Sequence, residues 1–550
     1  MVFTTSTSST SSVASILLVL IAIALGFLAQ KSQQPLPFST QPCSVSDNNN
    51  NNNNNSNEAF DLELFYTKQT WNEQHSLLLP KQISLDPCRV YSETYHEARQ
   101  KFRVAATNAG AVLHSLPIHV PLEQVASQVK ETNHNHNKEN GDENDTTNDN
   151  HLLTLDVAVL YGSLRGLVVH TSGVHGVEAY AASAVQIAFL QSIYPFWNNN
   201  NTHSKHSNGL PTIVLVHAVN PYGMAHYRRT NENNVDLNRN GIHPENWKNV
   251  QTNAETANQV TSIYQAYGKF SSFFNPPGPP SRLYVVLTLW IQAATYLARY
   301  GFDALKAGMV TGQYYNAKGI FYGGNELQPS LSALYNFFQN VLLVSDSNDD
   351  HHTEENAGQV AAEKDETLAQ PPQQQRQQTI KNVRCCTGTV TWIDVHTGLG
   401  PSGQDSLLVG TESASYLEQQ AQVWFPGANV EGSSKDAAAV KKGYEHVQGV
   451  TSRLFGRLWH GEQRQQQQQS ETCLHIMQEF GTVPGILVAH ALIVENRAFH
   501  HLPPEEAMEW AKHTTKRAFY KQTSVWRKQI LERGLILLVQ AVQRSAADKV

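Results

Sequence analysis

The stretch "RGLVVHTSGVHGVEAYAASAVQIAFLQSIY", Arg165 to Tyr194, decides the fold. Its first part is a short, unbroken apolar run with β-branched residues, which suits a strand buried on both faces. "TSGVHG" then supplies the small and turn-forming residues that end a strand. From Val177 onward the apolar residues continue for too long to be a strand and predict a helix. The stretch is therefore a strand–turn–helix unit. Within it His175 and Glu178 form His-x-x-Glu, two side chains that can face one way and grip one ion. The alternative is a Glu stabilising a helix N-terminus beside an incidental histidine. His170 reads as a histidine on the supporting strand.

The same alternation extends in both directions. "LTLDVAVLYG" (Leu153–Gly162), "TIVLVHAVNPYG" (Thr212–Gly223) and "TVTWIDVHTGLG" (Thr389–Gly400) read as strands. "LYVVLTLWIQAATYLARYGFDALKAG" (Leu283–Gly308), "GILVAHALIVENRAFHH" (Gly485–His501) and the segment Glu505–Gln543 read as helices. Short apolar strands interleaved with helices predict an α/β fold with a mixed, largely parallel sheet flanked by helices. Leu283–Ala298 is uncharged but short for a membrane span, and is expected to be a core helix.

Of the 550 residues, 16% are charged and the formal charge is −7. Lys and Arg are scattered, which excludes a clustered basic surface for nucleic acid. Polar tracts interrupt the periodic segments at about 132–150, 197–209, 345–378 and 463–470. They read as loop insertions in one domain spanning 59–550, because loop-closure entropy grows slowly with length. Residues 1–58 read as a targeting segment and an Asn-rich linker. Val13 to Gln30 is apolar and uncharged, with small residues at Ala24 and Gly26, as in a secretory leader; it is also just long enough for a membrane anchor. Either reading takes the chain into the secretory route, and Asn-x-Ser/Thr sites at Asn54, Asn144 and Asn200 accord with it. The five cysteines include no C-x-x-C pair, so they are buried thiols or disulfides such as one from Cys88 to a later cysteine.

Two further segments place polar residues at strand ends, where open α/β sheets collect ligands. In "TWIDVHTGLG", His396 ends a strand and Asp394, two residues earlier, shares its face and can buttress it. In "HYRRTNENNVDLNRNG", Arg228, Arg229, Asn238 and Arg239 suit a carboxylate or a developing oxyanion. The alternative for that loop is a polar surface with ion pairs to Glu232 and Asp236.

"HGVE", "DLNR", "DVHTG" and "QEFGTVP", in that order, resemble the zinc carboxypeptidase superfamily, which includes aspartoacylase and succinylglutamate desuccinylase. "YSETYHEARQKFR", "NPYGMAHYRRTNENNVDLNRN" and "GIFYGGN" are similar to a little-characterised branch of it, known mainly as a domain of unknown function. The resemblance implies a zinc carboxypeptidase-like α/β/α sandwich and one Zn2+ per chain. It further implies His175, Glu178 and His396 as ligands, and Asn238 and Arg239 as binders of the substrate carboxylate. Arg229, or alternatively Arg228, would polarise the scissile carbonyl, and Glu479 would act as general base. One feature departs from the pattern: Glu178 and His396 lie 218 positions apart, and Gly241–Lys381 accounts for much of the gap. The implied activity is hydrolysis of an amide near a free carboxylate, on a peptide or on an N-acyl amino acid. A catalytically idle binding protein is the reading from another class. A serine hydrolase is disfavoured because no Gly-x-Ser-x-Gly occurs.

Overall fold

The computed structural model describes residues 60–63, 82–119, 152–200, 210–256, 262–281, 288–342, 389–409, 415–431, 438, 440, 442–443, 447–460 and 473–547. The leader, the linker and most of the polar tracts lie outside these residues. The tract beginning at Trp197 is the exception. Trp197 belongs to the helix Tyr194–Asn200 and is buried edge-on against Phe189, so that insertion starts later than its composition suggests.

Strands β1 (Phe60–Glu63) and β2 (Gln82–Leu85) form a small antiparallel pair. The other seven are β3 (Val112–His119), β4 (Leu152–Leu160), β5 (Ser163–Ser172), β6 (Pro211–His217), β7 (Thr389–Ser402), β8 (Asp405–Val409) and β9 (Cys473–Gly481). They form one sheet in the order β3-β4-β6-β5-β7-β9-β8. Its centre, β6-β5-β7-β9, is parallel, and antiparallel pairs close both edges.

Both faces of the central strands are buried, which explains their unbroken apolar runs. Val168, Ile213, Leu215, Ile393 and Val395 point into one core, beneath α1 (Tyr95–Asn108), α2 (Ala179–Ala188) and the C-terminal helix Ser524–Ala547. Leu167, Val169, Val214, Val216 and Trp392 point into a second core, against the helix Pro329–Phe337 and the segment Thr451–His460. The chain is thus an α/β sandwich with helices on both faces of the sheet.

A third apolar cluster lies near the carboxyl end of the parallel strands. It packs α3 (Ser262–Phe274) and α4 (Trp290–Val310) against α5 (Gly485–His501) and α6 (Glu505–Phe519). Trp290 stacks on His490 there, and Ala293 and Ala294 are buried, so the described part of the expected core helix is packed into the fold. Helix α4 is broken at Gly301, whose φ of 79° is open to glycine at no steric cost. Among the described residues no helix is long and apolar enough to cross a membrane.

His170 on β5 and His217 on β6 are completely buried, and burial pushes each down to about 4 against the opposing charges of Asp394 and Asp156. The folded chain keeps them neutral, whereas the unfolded chain protonates them below about 6.5. Stability is therefore fully present above that pH and falls as pH drops towards 4, by about 3 kcal/mol for each histidine. Urea unfolding at pH 7 and pH 4.5 should show a clearly lower midpoint in acid. An unchanged midpoint would mean that these histidines accept protons in the folded state.

Candidate metal centre and active site

The turn after β5 is shaped by two close approaches. Gly173 takes a φ of 71°, and a Cβ there would sit 2.6 Å from the Cβ of Ala179. At Gly176 a Cβ would sit 2.1 Å from the backbone of Gly223. That approach lets the Gly176 and Val177 amides donate to the carbonyls of Arg229 and Arg228, at 3.2 and 2.8 Å. The His-x-x-Glu turn and the arginine loop are thus joined through their backbones. His175 and Glu178 bracket a single 3-10 turn, Gly176–Glu178, which leads directly into α2.

Neighbouring β7 brings His396 beside them. The ligand atoms of His175, Glu178 and His396 all lie within 4.8 Å of one another, and all three residues are buried. His175 Nδ1 is 2.9 Å from Glu178 Oε1 and 3.0 Å from His396 Nδ1, which in turn is 3.2 Å from Glu178 Oε2. Both histidines point Nδ1 inward, and a carboxylate backs the other nitrogen of each. Asp394 Oδ2 is 3.1 Å from His396 Nε2, and Asp236 Oδ1 is 3.1 Å from His175 Nε2. Two imidazoles and a carboxylate, oriented by outer carboxylates, form a donor set suited to a divalent metal with an open position.

The electrostatics fit a cation at this point. Burial would raise Glu178, yet the charges and hydrogen bonds of His175 and His396 hold it well below the ordinary carboxylate range. Burial would lower His396, but Asp394 and Glu178 hold its proton until about 10. A metal ion held by these residues would displace that proton and supply positive charge among the carboxylates.

Glu479 lies across from this cluster on β9, in cross-strand register with His396. Only 7% of it is exposed, so it is not the surface residue that a strand-end glutamate would ordinarily be. Its Oε1 accepts from the Leu399 amide at 2.8 Å. Burial, with the negative charge of Glu178, pushes its carboxyl up to about 7, poised to exchange protons near neutrality.

The arginine loop is buried rather than a polar surface, and its two arginines part company. Arg229 lines the same cavity as the metal-type cluster. Its Nη1 donates to Glu178 Oε1 at 3.2 Å and its Nε to Asp236 Oδ2 at 3.0 Å. Arg228 turns away: Nε donates to Glu495 at 2.5 Å, Nη2 to Asn234 at 2.9 Å, and its guanidinium lies over Phe499. Glu232 is buried as well, and burial raises its carboxyl. Asn238 lines the cavity and accepts from the Thr451 amide at 3.2 Å. Arg239 is completely buried behind the wall; Nε and Nη2 donate to the Val310 carbonyl, and Nη1 to that of Asn238.

Asp236 is the residue whose role the sequence hid. It contacts His175 and Arg229, and Oδ1 also accepts from the Asn238 amide at 3.0 Å, capping the turn Leu237–Arg239. Burial would raise it, but Arg229, His175 and Arg239 hold it well below the usual range. An Asp opening "DLNR" was the available signal, and it is equally the mark of a simple turn cap.

A family model described as a protein of unknown function (DUF2817) matches residues 91–354 and 370–533, and the chain belongs to that family. No protein of curated function matches it. Among solved structures, the crystal structure of thrombin activatable fibrinolysis inhibitor (TAFI) aligns over 79% of this chain and 76% of its own. The two are 9% identical, with a TM-score of 0.31.

Asp236→Asn should weaken metal binding by about 10–100-fold, because the amide neither orients His175 as well nor raises the basicity of its inward nitrogen. Competition against a chelator of known affinity measures this. An unchanged affinity would reduce Asp236 to a turn cap.

Proposed function

We propose that this protein is a zinc-dependent hydrolase that cleaves an amide bond near a free carboxylate, in the manner of a metallocarboxypeptidase. The observation that carries this reading is a convergence. His175, Glu178, His396, Glu479 and Arg229 line one cavity at the carboxyl ends of three adjacent parallel strands. The nitrogen-nitrogen-carboxylate set favours zinc, and the motif resemblance supports the same choice.

When bound, zinc would supply Lewis acidity to a water and to the substrate carbonyl. Glu479 takes the proton of the attacking water and passes it to the leaving amine, a task suited to a carboxyl held near 7. Arg229 faces the same cavity and stabilises charge developing on the carbonyl oxygen; its contact with Asp236 fixes its direction. Arg228, committed to Glu495 and Phe499, holds the loop in place. Asn238 contributes a polar contact for substrate, with Arg239 bracing it from behind through the Asn238 carbonyl.

Deacylation of N-acyl amino acids, as in aspartoacylases, uses the same machinery. The Asp394–His396 pair, read in "IDVHTG", favours that second reading. The apolar run Val13–Gln30 supports entry into the secretory route, with the enzyme released or held at a membrane. The disulfide at Cys88 supports such an oxidising setting.

Elemental analysis of the purified chain should find about one zinc, lost on His175→Ala or His396→Ala. Glu479→Gln should keep the metal and lose hydrolysis by about 100-fold or more. A folded wild-type chain without stoichiometric metal would defeat the proposal, and a fully active Glu479→Gln would defeat the assignment of the base.

A further inference from the structure

The cavity's lining is of two kinds. One is the ionisable set described above. The other is an apolar wall, and much of it comes from α4, within the long segment that separates Glu178 from His396. Phe302, Leu305, Lys306, Met309 and Val310 all line the cavity. Their spacing of three and four residues places them on one helical face. Helix α5 adds Ile486, Val488 and Leu492 to this lining, and Phe519 at the end of α6 adds a further ring.

Two details argue that this wall receives a ligand. Phe302 lines the cavity while 48% exposed, so a large ring stands in solvent at its mouth. Gly485, at the start of α5, lines it too. A Cβ there would meet only Leu399 and Phe302, each at 3.5 Å, so the position is open towards the cavity. The wall also sets what is refused. Among the described residues, Glu178 and Glu479 are the carboxylates that line the cavity, and Lys306, whose Nζ donates to the Val440 carbonyl at 2.7 Å, is the cation that α4 contributes. A basic substrate group would lose its hydration there without gaining a partner.

We infer that the apolar wall built by α4 and α5 is the specificity pocket, which takes a large apolar group, aromatic or branched aliphatic, next to the scissile amide. The group is a C-terminal side chain in a peptide or the acyl moiety of an N-acyl amino acid. The choice of test compounds rests on the proposed hydrolase activity, but the pocket itself can be read by binding alone.

The test uses the zinc-loaded full chain with two substrate series. Blocked dipeptides end in Phe, Leu, Ala, Asp or Arg, and N-acyl amino acids carry acetyl, isovaleryl or phenylacetyl groups. In one series or the other, kcat/KM should favour the large apolar member over the small one by about 10–200-fold, with Arg poorest. Gly485→Leu should fill the pocket, lowering kcat/KM for the large member at least tenfold while sparing Ala or acetyl. Equilibrium binding of both series to Glu479→Gln should follow the same ranking. Turnover that peaks at Asp or Arg, or a Gly485→Leu effect equal across all members, overturns the pocket and leaves the hydrolase standing. Absent turnover with intact apolar-selective binding does the reverse. Absent turnover with unselective binding overturns both.

Discussion

Four carboxylates, those of Glu178, Asp236, Asp394 and Glu479, are buried around the carboxyl ends of β5, β7 and β9. Burial of ionised carboxylates in a poorly hydrated interior is prohibitive unless positive charge and hydrogen bonds accompany them. Arg229, with two of its nitrogens on Glu178 and Asp236, gives part of the compensation, and Arg239 and His396 give more. Backbone amides at Thr397 and Leu399 donate to Glu178 and Glu479. With Glu178 and two histidine nitrogens converging on one point, the pocket suits a compact cation.

The scaffold meets that demand by uniting segments distant in sequence. The parallel centre of the sheet places three strand ends side by side, and glycines at 173 and 176 let the arginine loop lie against the turn after β5. The resulting backbone bonds from Gly176 and Val177 to Arg229 and Arg228 fix which arginine faces inward. Two adjacent arginines of the same chemistry thereby acquire different tasks, one at the cavity and one clamped between Glu495 and Phe499.

Most of the architecture was legible because strands buried on both faces leave unbroken apolar runs, as in "GLVVH" and "TIVLV", and helices leave longer ones. The three metal-type ligands were legible through spacing, His-x-x-Glu and then Asp-x-His, together with family resemblance. Asp236 was not, because a turn cap and a histidine partner look alike in sequence, and only the folded loop carries Asp236 to His175. The separation of Arg228 from Arg229 depends on a contact with Glu495, 267 positions from Arg228. Composition likewise started the insertion at Trp197 too early, since an indole beside an Asn run can be pulled into the core by Phe189. The apolar wall left no such signal: Phe302, Leu305 and Met309 carry only helical spacing, and the fold is what turns them towards a cavity.

The cross-strand pairing of His396 with Glu479 has a consequence for how such a site can change over evolutionary time. Side chains alternate between sheet faces, so a one-residue slip of β9 against β7 would exchange Glu479 for a neighbour pointing the other way. Intermediate placements do not exist, because register moves only in whole residues. The spacing between His396 and Glu479 is therefore quantised, whereas the helical wall can drift by one side chain at a time. A lineage built on this sheet can reshape the apolar lining gradually while the pairing of His396 with Glu479 stays locked.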